Sequence, residues 1–345
     1  MTQAPAQPSA HASPPLPATS FGPAVFRCAS SARFRQDPMM ATAPPARRLL
    51  LVEVPGPWGR TALTDSRLDR YASGRLADLA QHAGVRVQII RRPGRHPVPE
   101  AAAPKAWALV DTTPGRVGVT WGQWRRENDL LDVDLAAPLA PVAGSDPIAL
   151  VCTHGRHDVC CALRGRPVAA ALAELSGWDV WECSHLGGDR FAANVLLLPH
   201  GELFGGLDAG TAVSTVEAVG QGRLVLEHYR GRLGRATIDQ AAVHLAMLEL
   251  GERRRGAVRV VDRVRAHDAV HEAAAAALGV DTDGEGWAVD VQDGQGRRLR
   301  LTIVTTWSDP AQLTCSAGGP ARARLFHLLS IEPQQIATPE GTPTS

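Results

Sequence analysis

The sequence predicts an α/β fold. Two apolar runs, LLLVEVPG (49–56) and IALVCTHG (148–155), have the length of buried strands. Each is followed by a helical pattern, then by another strand and a hairpin. Strands alternating with helices bury their apolar sides as a partly parallel sheet carrying helices.

Taken in order, RCASSARFRQDPMMATAPPARR (27–48) has no clear period and ends at Pro44-Pro45, so an irregular lead-in is expected. LLLVEVPG is a buried strand running into a Pro-Gly turn. DSRLDRYASGRLADLAQHAG (65–84) has apolar residues at helical spacing, an Asp65/Ser66 cap and Gly84 as its stop. VRVQIIRR (85–92) is a strand, and WALVDTT (107–113) with RVGVTWG (116–122) forms a hairpin around Pro114-Gly115. The second passage opens on the strand IALVCTHG and a loop rich in Cys and His. RPVAAALAELSG (166–177) then predicts a helix with Pro167 in its first turn and Gly177 behind it. WDVWECSH (178–185) is a strand, and FAANVLLLP (191–199) with GELFGGLD (201–208) forms a hairpin around His200-Gly201. Comparable loops fall at RPGRHP (92–97) and HLGGDR (185–190).

The repeated order reads as two tandem βαββ units, of which only the second carries cysteines; chance likeness between α/β chains is the alternative. Beyond Asp208, helices are expected near 211–220 and 236–250. A strand (258–266), an Ala-rich helix (267–279) and a hairpin within 286–307 turning at Asp293-Gly294 suggest a small α+β appendage. The expected organisation is a disordered 1–27, an N-terminal α/β unit (28–140), a cysteine-bearing unit (141–252), the appendage (253–333) and a disordered tail (334–345).

Composition narrows the function. At roughly 150 residues per domain, a 345-residue chain suits two domains. With 36 basic and 35 acidic residues the formal charge is +1, which argues against a nucleic-acid or membrane-surface binder. No apolar run reaches the ~18–20 residues that span a bilayer. The first 20 residues lack a basic start and a continuous apolar stretch, so no signal peptide is read there and the cytoplasm is the expected compartment. In that reducing compartment six cysteines suit burial, reactivity or metal binding better than a disulfide framework.

Four of the six lie in VCTHGRHDVCCALRGRP (151–167) and WECSHLGGDRF (181–191), with His154, His157 and His185. Thiolates and imidazoles gathered at two loops can saturate a metal or an iron–sulfur cluster. Cys152 ends a strand and Cys161 lies nine residues on, a loop wide enough for a cluster, whereas a tight C-x-x-C knuckle suits one zinc ion. Cys183 and His185, two apart at a strand end, project to one face. His154 and His157 read as loop hydrogen-bonders, Cys160 as a buried small side chain, and Cys28 and Cys315 as structural.

The run C-T-H-G-x-x-D-x-C-C, then S-H-L-G-G-D-R-F-A-A-N and L-P-x-G, resembles the sucrase/ferredoxin-like proteins, with LLVEVPGPWG (50–59), HYRGRLG (228–234) and Cys28-Ala29-Ser30 adding to the likeness. The resemblance implies a thioredoxin-like ferredoxin core holding a [2Fe–2S] cluster. A family C-x8-C pair maps onto Cys152 and Cys161, and an H-x3-H pair supplies the other two ligands in characterised relatives. This chain matches His185 but has Asp189 at the second histidine position. Three outcomes follow: Cys183 becomes the fourth ligand, Asp189 ligates through its carboxylate, or the site is incomplete. Thiolate suits iron–sulfur chemistry better than carboxylate, which favours Cys183. Nothing in the residues singles out the paired carboxylates of glycoside hydrolysis.

The expectation is therefore an iron–sulfur electron carrier rather than an enzyme, with Cys152, Cys161, Cys183 and His185 as ligands and a redox partner protein. The rival readings are a thiol redox protein on the same scaffold and a zinc-stabilised interaction module.

Overall fold

The computed structural model describes residues 25–94, 103–139, 147–266 and 285–334. Among these lie six α-helices, a nine-stranded mixed sheet and a separate four-stranded antiparallel sheet, which confirms the α/β class. None of the helices described is long and apolar enough to cross a membrane.

The first strands are β1 (Arg48–Glu53), β2 (Val85–Arg91), β3 (Lys105–Asp111) and β4 (Gly118–Trp124). They are followed by β5 (Ile148–Cys152), β6 (Asp179–Cys183), β7 (Val195–Leu198), β8 (Glu202–Phe204) and β9 (Tyr229–Arg232). Their spatial order is β4-β3-β1-β2-β6-β5-β7-β8-β9. Strand β1 runs parallel to β2 and antiparallel to β3, and β3 antiparallel to β4. Strand β5 likewise runs parallel to β6 and antiparallel to β7, and β7 antiparallel to β8. The halves share strand order and direction. Among the described residues their strands pair at the ends of β2 and β6, antiparallel, through Ile90↔Cys183 and Arg91↔Glu182, so the carboxyl ends of both parallel pairs meet at one seam.

Alternation along the strands sorts the apolar side chains into layers. Leu49 and Leu51 of β1, Leu150 and Cys152 of β5 and Leu196 and Leu198 of β7 share one core with Trp181 and Cys183. The inward sides of both halves thus face one interior. Leu50 and Val52 pack instead against α2 (Arg70–His82) through Leu76 and Ala80. Ala149 and Val151 pack against α4 (Val159–Ala173) through Val168, Ala169 and Leu172.

Several boundaries differ from expectation for identifiable reasons. Helix α2 starts later because Asp69, not Asp65 or Ser66, caps it, accepting the Tyr71 and Ala72 amides; Asp65 closes the preceding loop by accepting the Thr61 amide. Helix α4 starts seven residues before the expected Arg166. The Asp158 carboxylate accepts the Cys160 amide as the cap, and Pro167 sits inside the helix rather than in its first turn. Cys160 and Cys161 are therefore helical, not in a loop. The lead-in contains α1 (Cys28–Arg35), which buries only Cys28, Ala29 and Ala32 and so left no amphipathic stripe to read. A short α3 (Glu127–Leu131) follows β4.

Helices α5 (Ala209–Gly220) and α6 (Thr237–Glu249) fall near their expected positions. The last sheet comprises β10 (Arg259–Ala266), β11 (Gly286–Gln292), β12 (Arg298–Trp307) and an unexpected β13 (Arg324–Pro333). Its Val289, Val291, Leu301 and Ile303 pack with Ala241, Ala242 and Met247 of α6 in one core. The expected helix at 267–279 and the terminal segments 1–24 and 335–345 lie outside the described residues.

Candidate metal centre

The parallel pair β5–β6 places Cys152 beside Cys183 in register, and both side chains enter the core between the halves. Helix α4 then crosses β5 closely enough that a Cβ on Gly165 would lie 2.1 Å from the Cys152 carbonyl oxygen. Only glycine permits that approach. One turn earlier, Cys161 is brought over the end of β5 beside Cys152.

Beyond β6, the segment carrying His185 is held from both sides. From β2 of the first half, the Gln88 amide donates to the Ser184 carbonyl and the Arg86 guanidinium donates to the His185 carbonyl at 2.6 Å. The backbone continues this clamp: Ser184 N–H donates to the Ile89 carbonyl, and Ile89 N–H donates to Ser184 Oγ. On the other side Arg230 of β9 is fully buried. It donates to the carbonyls of Gly187 and Thr42 and to Asn194 Oδ1 at 2.7–2.8 Å. Gly188 has φ +71°, and a Cβ there would meet Arg230 Nη2 at 2.4 Å, so this position needs glycine twice over. HYRGRLG thus supplies a cation that shapes the HLGG loop, a role its sequence alone did not disclose.

These constraints converge the donors. One ligand atom each from Cys152, Cys161 and His185 lie within 4.8 Å of one another, as do those of His157, His185 and Asp189. His185 belongs to both groups. Asp189 Oδ1 lies 2.9 Å from His185 Nδ1 and accepts the Cys161 thiol at 3.2 Å, while Oδ2 is 3.9 Å from His157 Nε2. The His157 and His185 rings stack with centroids 3.8 Å apart, and His154 stacks on His157 at 5.6 Å. His154 Nε2 also contacts the Gly59 carbonyl at 2.7 Å and packs edge-on against Trp58, tying the centre to the PGPWG loop of the first half. Cys183 falls in neither group; it is buried against Cys152. Cys160 points away from Cys161's partners.

The charges are arranged to suit a thiolate. Contact with the Cys161 sulfur holds the Cys152 thiol well below its ordinary value, outweighing burial, with His185 adding to the effect. Cys161 is pushed up by the neighbouring Cys152 sulfur, by burial and by the Asp189 carboxylate, and burial raises Cys183. Burial disfavours charge on His185, yet the Asp189 carboxylate and Cys152 raise it to about 9. Burial and the charged His185 lower His157. Two guanidiniums, the partly buried Arg86 and the fully buried Arg230, lie close enough to feel the Cys152 charge; desolvation lowers both, Arg230 to about 9. A soft, partly ionised sulfur pair with imidazole beside it and cations behind it is a donor set for iron or zinc.

A family model for sucrase/ferredoxin-like proteins matches residues 39–231, which include every residue of this centre. The chain belongs to the sucrase/ferredoxin-like family. Comparison with curated proteins and with solved structures finds no match. The family match begins after Cys28 and ends before the last four strands, so it leaves Cys28 and Cys315 outside.

Proposed function

We propose that this centre binds one [2Fe–2S] cluster and that the protein is an electron carrier. The observation that carries this reading is the convergence of Cys152, Cys161 and His185 within 4.8 Å at a seam flanked by the partly buried Arg86 and the buried Arg230. Their chemistry fits the group: two sulfurs suit one iron and an imidazole suits the other, as in histidine-ligated clusters. When bound, the cluster would supply reversible one-electron storage.

The chain's own residues do the rest. Cys152 and Cys161 bind through sulfur and His185 through a ring nitrogen. Arg86 and Arg230 offset the negative charge of a thiolate-bound centre, which favours the reduced state. For the fourth ligand, Asp189 takes precedence over Cys183, because its carboxylate already touches both Cys161 and His185 whereas Cys183 belongs to neither converging group. The partly exposed rings of His157 and His185 form the open edge, at which a redox partner protein approaches. The shared strand order of the halves supports reading them as tandem thioredoxin-like units, and six unpaired cysteines suit a reducing cytoplasm.

Iron and sulfide quantification with EPR, on protein purified without oxygen, tests the assignment. His185→Ala and Asp189→Ala should lose the signal, and Cys183→Ala should keep it. Retention in Asp189→Ala with loss in Cys183→Ala would return the fourth position to Cys183. The contact between Cys152 and Cys161 favours a second reading, a thiol redox pair. Colourless protein that stays without iron after reconstitution, yet cycles between dithiol and disulfide, would establish it instead.

A further inference from the structure

Outside this centre, three cysteines that are far apart in sequence meet. Cys28 stands in the first turn of α1, Cys160 in the first turn of α4, and Cys315 in the connection between β12 and β13. The Cys315 sulfur lies 3.4 Å from that of Cys160 and 3.5 Å from that of Cys28, although Cys28 and Cys315 are 287 residues apart. The Asp158 carboxylate is 3.5 Å from the Cys28 sulfur, and the four ligand atoms all lie within 4.8 Å of one another. Cys28, Cys160 and Asp158 are buried, and Cys315 is partly so.

We propose that Cys28, Cys160, Cys315 and Asp158 form a second, structural site for a zinc ion. Around tetrahedral zinc with Zn–S bonds near 2.3 Å, sulfurs are about 3.8 Å apart, a few tenths of an ångström beyond the separations here. A disulfide would join two of the sulfurs and strand the third, whereas a metal uses all three. The donor set is closed and sulfur-rich, the pattern of structural rather than catalytic zinc. Outer contacts of the kind that steady metal ligands are in place. Cys28 N–H donates to the Cys315 sulfur, Cys160 N–H to Asp158 Oδ1, and Cys315 N–H to Asp158 Oδ2. Without a cation, burial and the Asp158 charge keep Cys28 protonated, and burial pushes Cys315 up to about 11. Binding replaces three thiol protons: Zn²⁺, three thiols and one carboxylate give a site of net charge −2 and three released protons.

The site is independent of the electron-carrier reading. Its effect is to staple α1 and the last sheet to the first turn of α4, closing a loop that covers most of the chain. The test is zinc quantification on the full-length protein, purified anaerobically with a thiol reductant. Wild type should carry roughly one zinc per chain, and Cys28→Ser and Cys315→Ser at least tenfold less. Cys161→Ser, whose side chain belongs to the other centre, should keep its zinc. Cobalt loading of the wild type avoids reliance on variant folding and should give thiolate-to-cobalt charge-transfer absorption that Cys315→Ser lacks. Wild type that binds neither zinc nor cobalt would overturn the proposal. So would zinc lost in Cys161→Ser but kept in Cys315→Ser, or a Cys28–Cys315 or Cys160–Cys315 disulfide in the reduced preparation.

Discussion

At the residue scale, neighbouring side chains do separate work. Cys160 and Cys161 are adjacent in sequence, but successive helix positions turn by about 100°, so one faces Cys28 and Cys315 and the other faces Cys152 and Asp189. Reading the pair as loop residues hid this division, because Pro167 drew the expected helix start past them. Cys152, Cys161 and His185 were legible in the sequence because they fall in two short local runs. Cys28 and Cys315 were not, since nothing in local spacing links residues at opposite ends of a chain. Arg230 was equally hidden: its importance lies in which oxygens surround it. Replacing it in Arg230→Met relieves the burial of a charge but leaves Gly187 O, Thr42 O and Asn194 Oδ1 without donors. The second effect dominates, and a net loss of about 2–4 kcal/mol is expected in urea unfolding. Iron retention should fall as the HLGG loop loosens. Unchanged stability and iron content would remove Arg230 from this role.

At the element scale, the decisive feature is how closely α4 crosses β5. The helix was anticipated, its register against the strand was not, and the register brings the two sulfurs together. Gly165→Ala would force a Cβ into the Cys152 carbonyl and push the helix outward. Overpacking of this kind costs roughly 1–3 kcal/mol. Because Cys161 rides on the same helix, iron and sulfide content should drop by more than the stability loss alone explains. Wild-type cluster content in Gly165→Ala would show that the crossing does not set the sulfur spacing. Strand β13 illustrates the opposite limit of sequence reading. Its side chains are mostly half-buried between exposed ends, so it carries no clean two-residue alternation, and its pairing with β12 defines it.

At the scale of the whole molecule, the apolar strands and their recurring order made the α/β class readable in advance. The joining of both halves into one sheet was not readable, because it depends on the pairing of Ile90 with Cys183 and of Arg91 with Glu182, far apart in sequence. Global stability also carries a pH signature. Burial lowers His244 of α6 to about 4, against an ordinary value of 6.5, with no compensating partner strong enough to restore it. The folded chain keeps this ring neutral while the unfolded chain protonates it, so the unfolded state binds more protons between those values. Stability should therefore fall as pH drops from about 6.5 to 4, by on the order of 3 kcal/mol from this group. His244→Leu should show a shallower decline of the urea midpoint across that window. Equal slopes for both proteins would exclude His244 as the source.

The narrow seam between β2 and β6 has one more consequence. Arg86 and Gln88, which hold the backbone on either side of His185, belong to the half without cysteines. The cysteine-bearing half is consequently not a portable cassette: excised and grafted elsewhere, it would leave behind the scaffolding that aims its histidine.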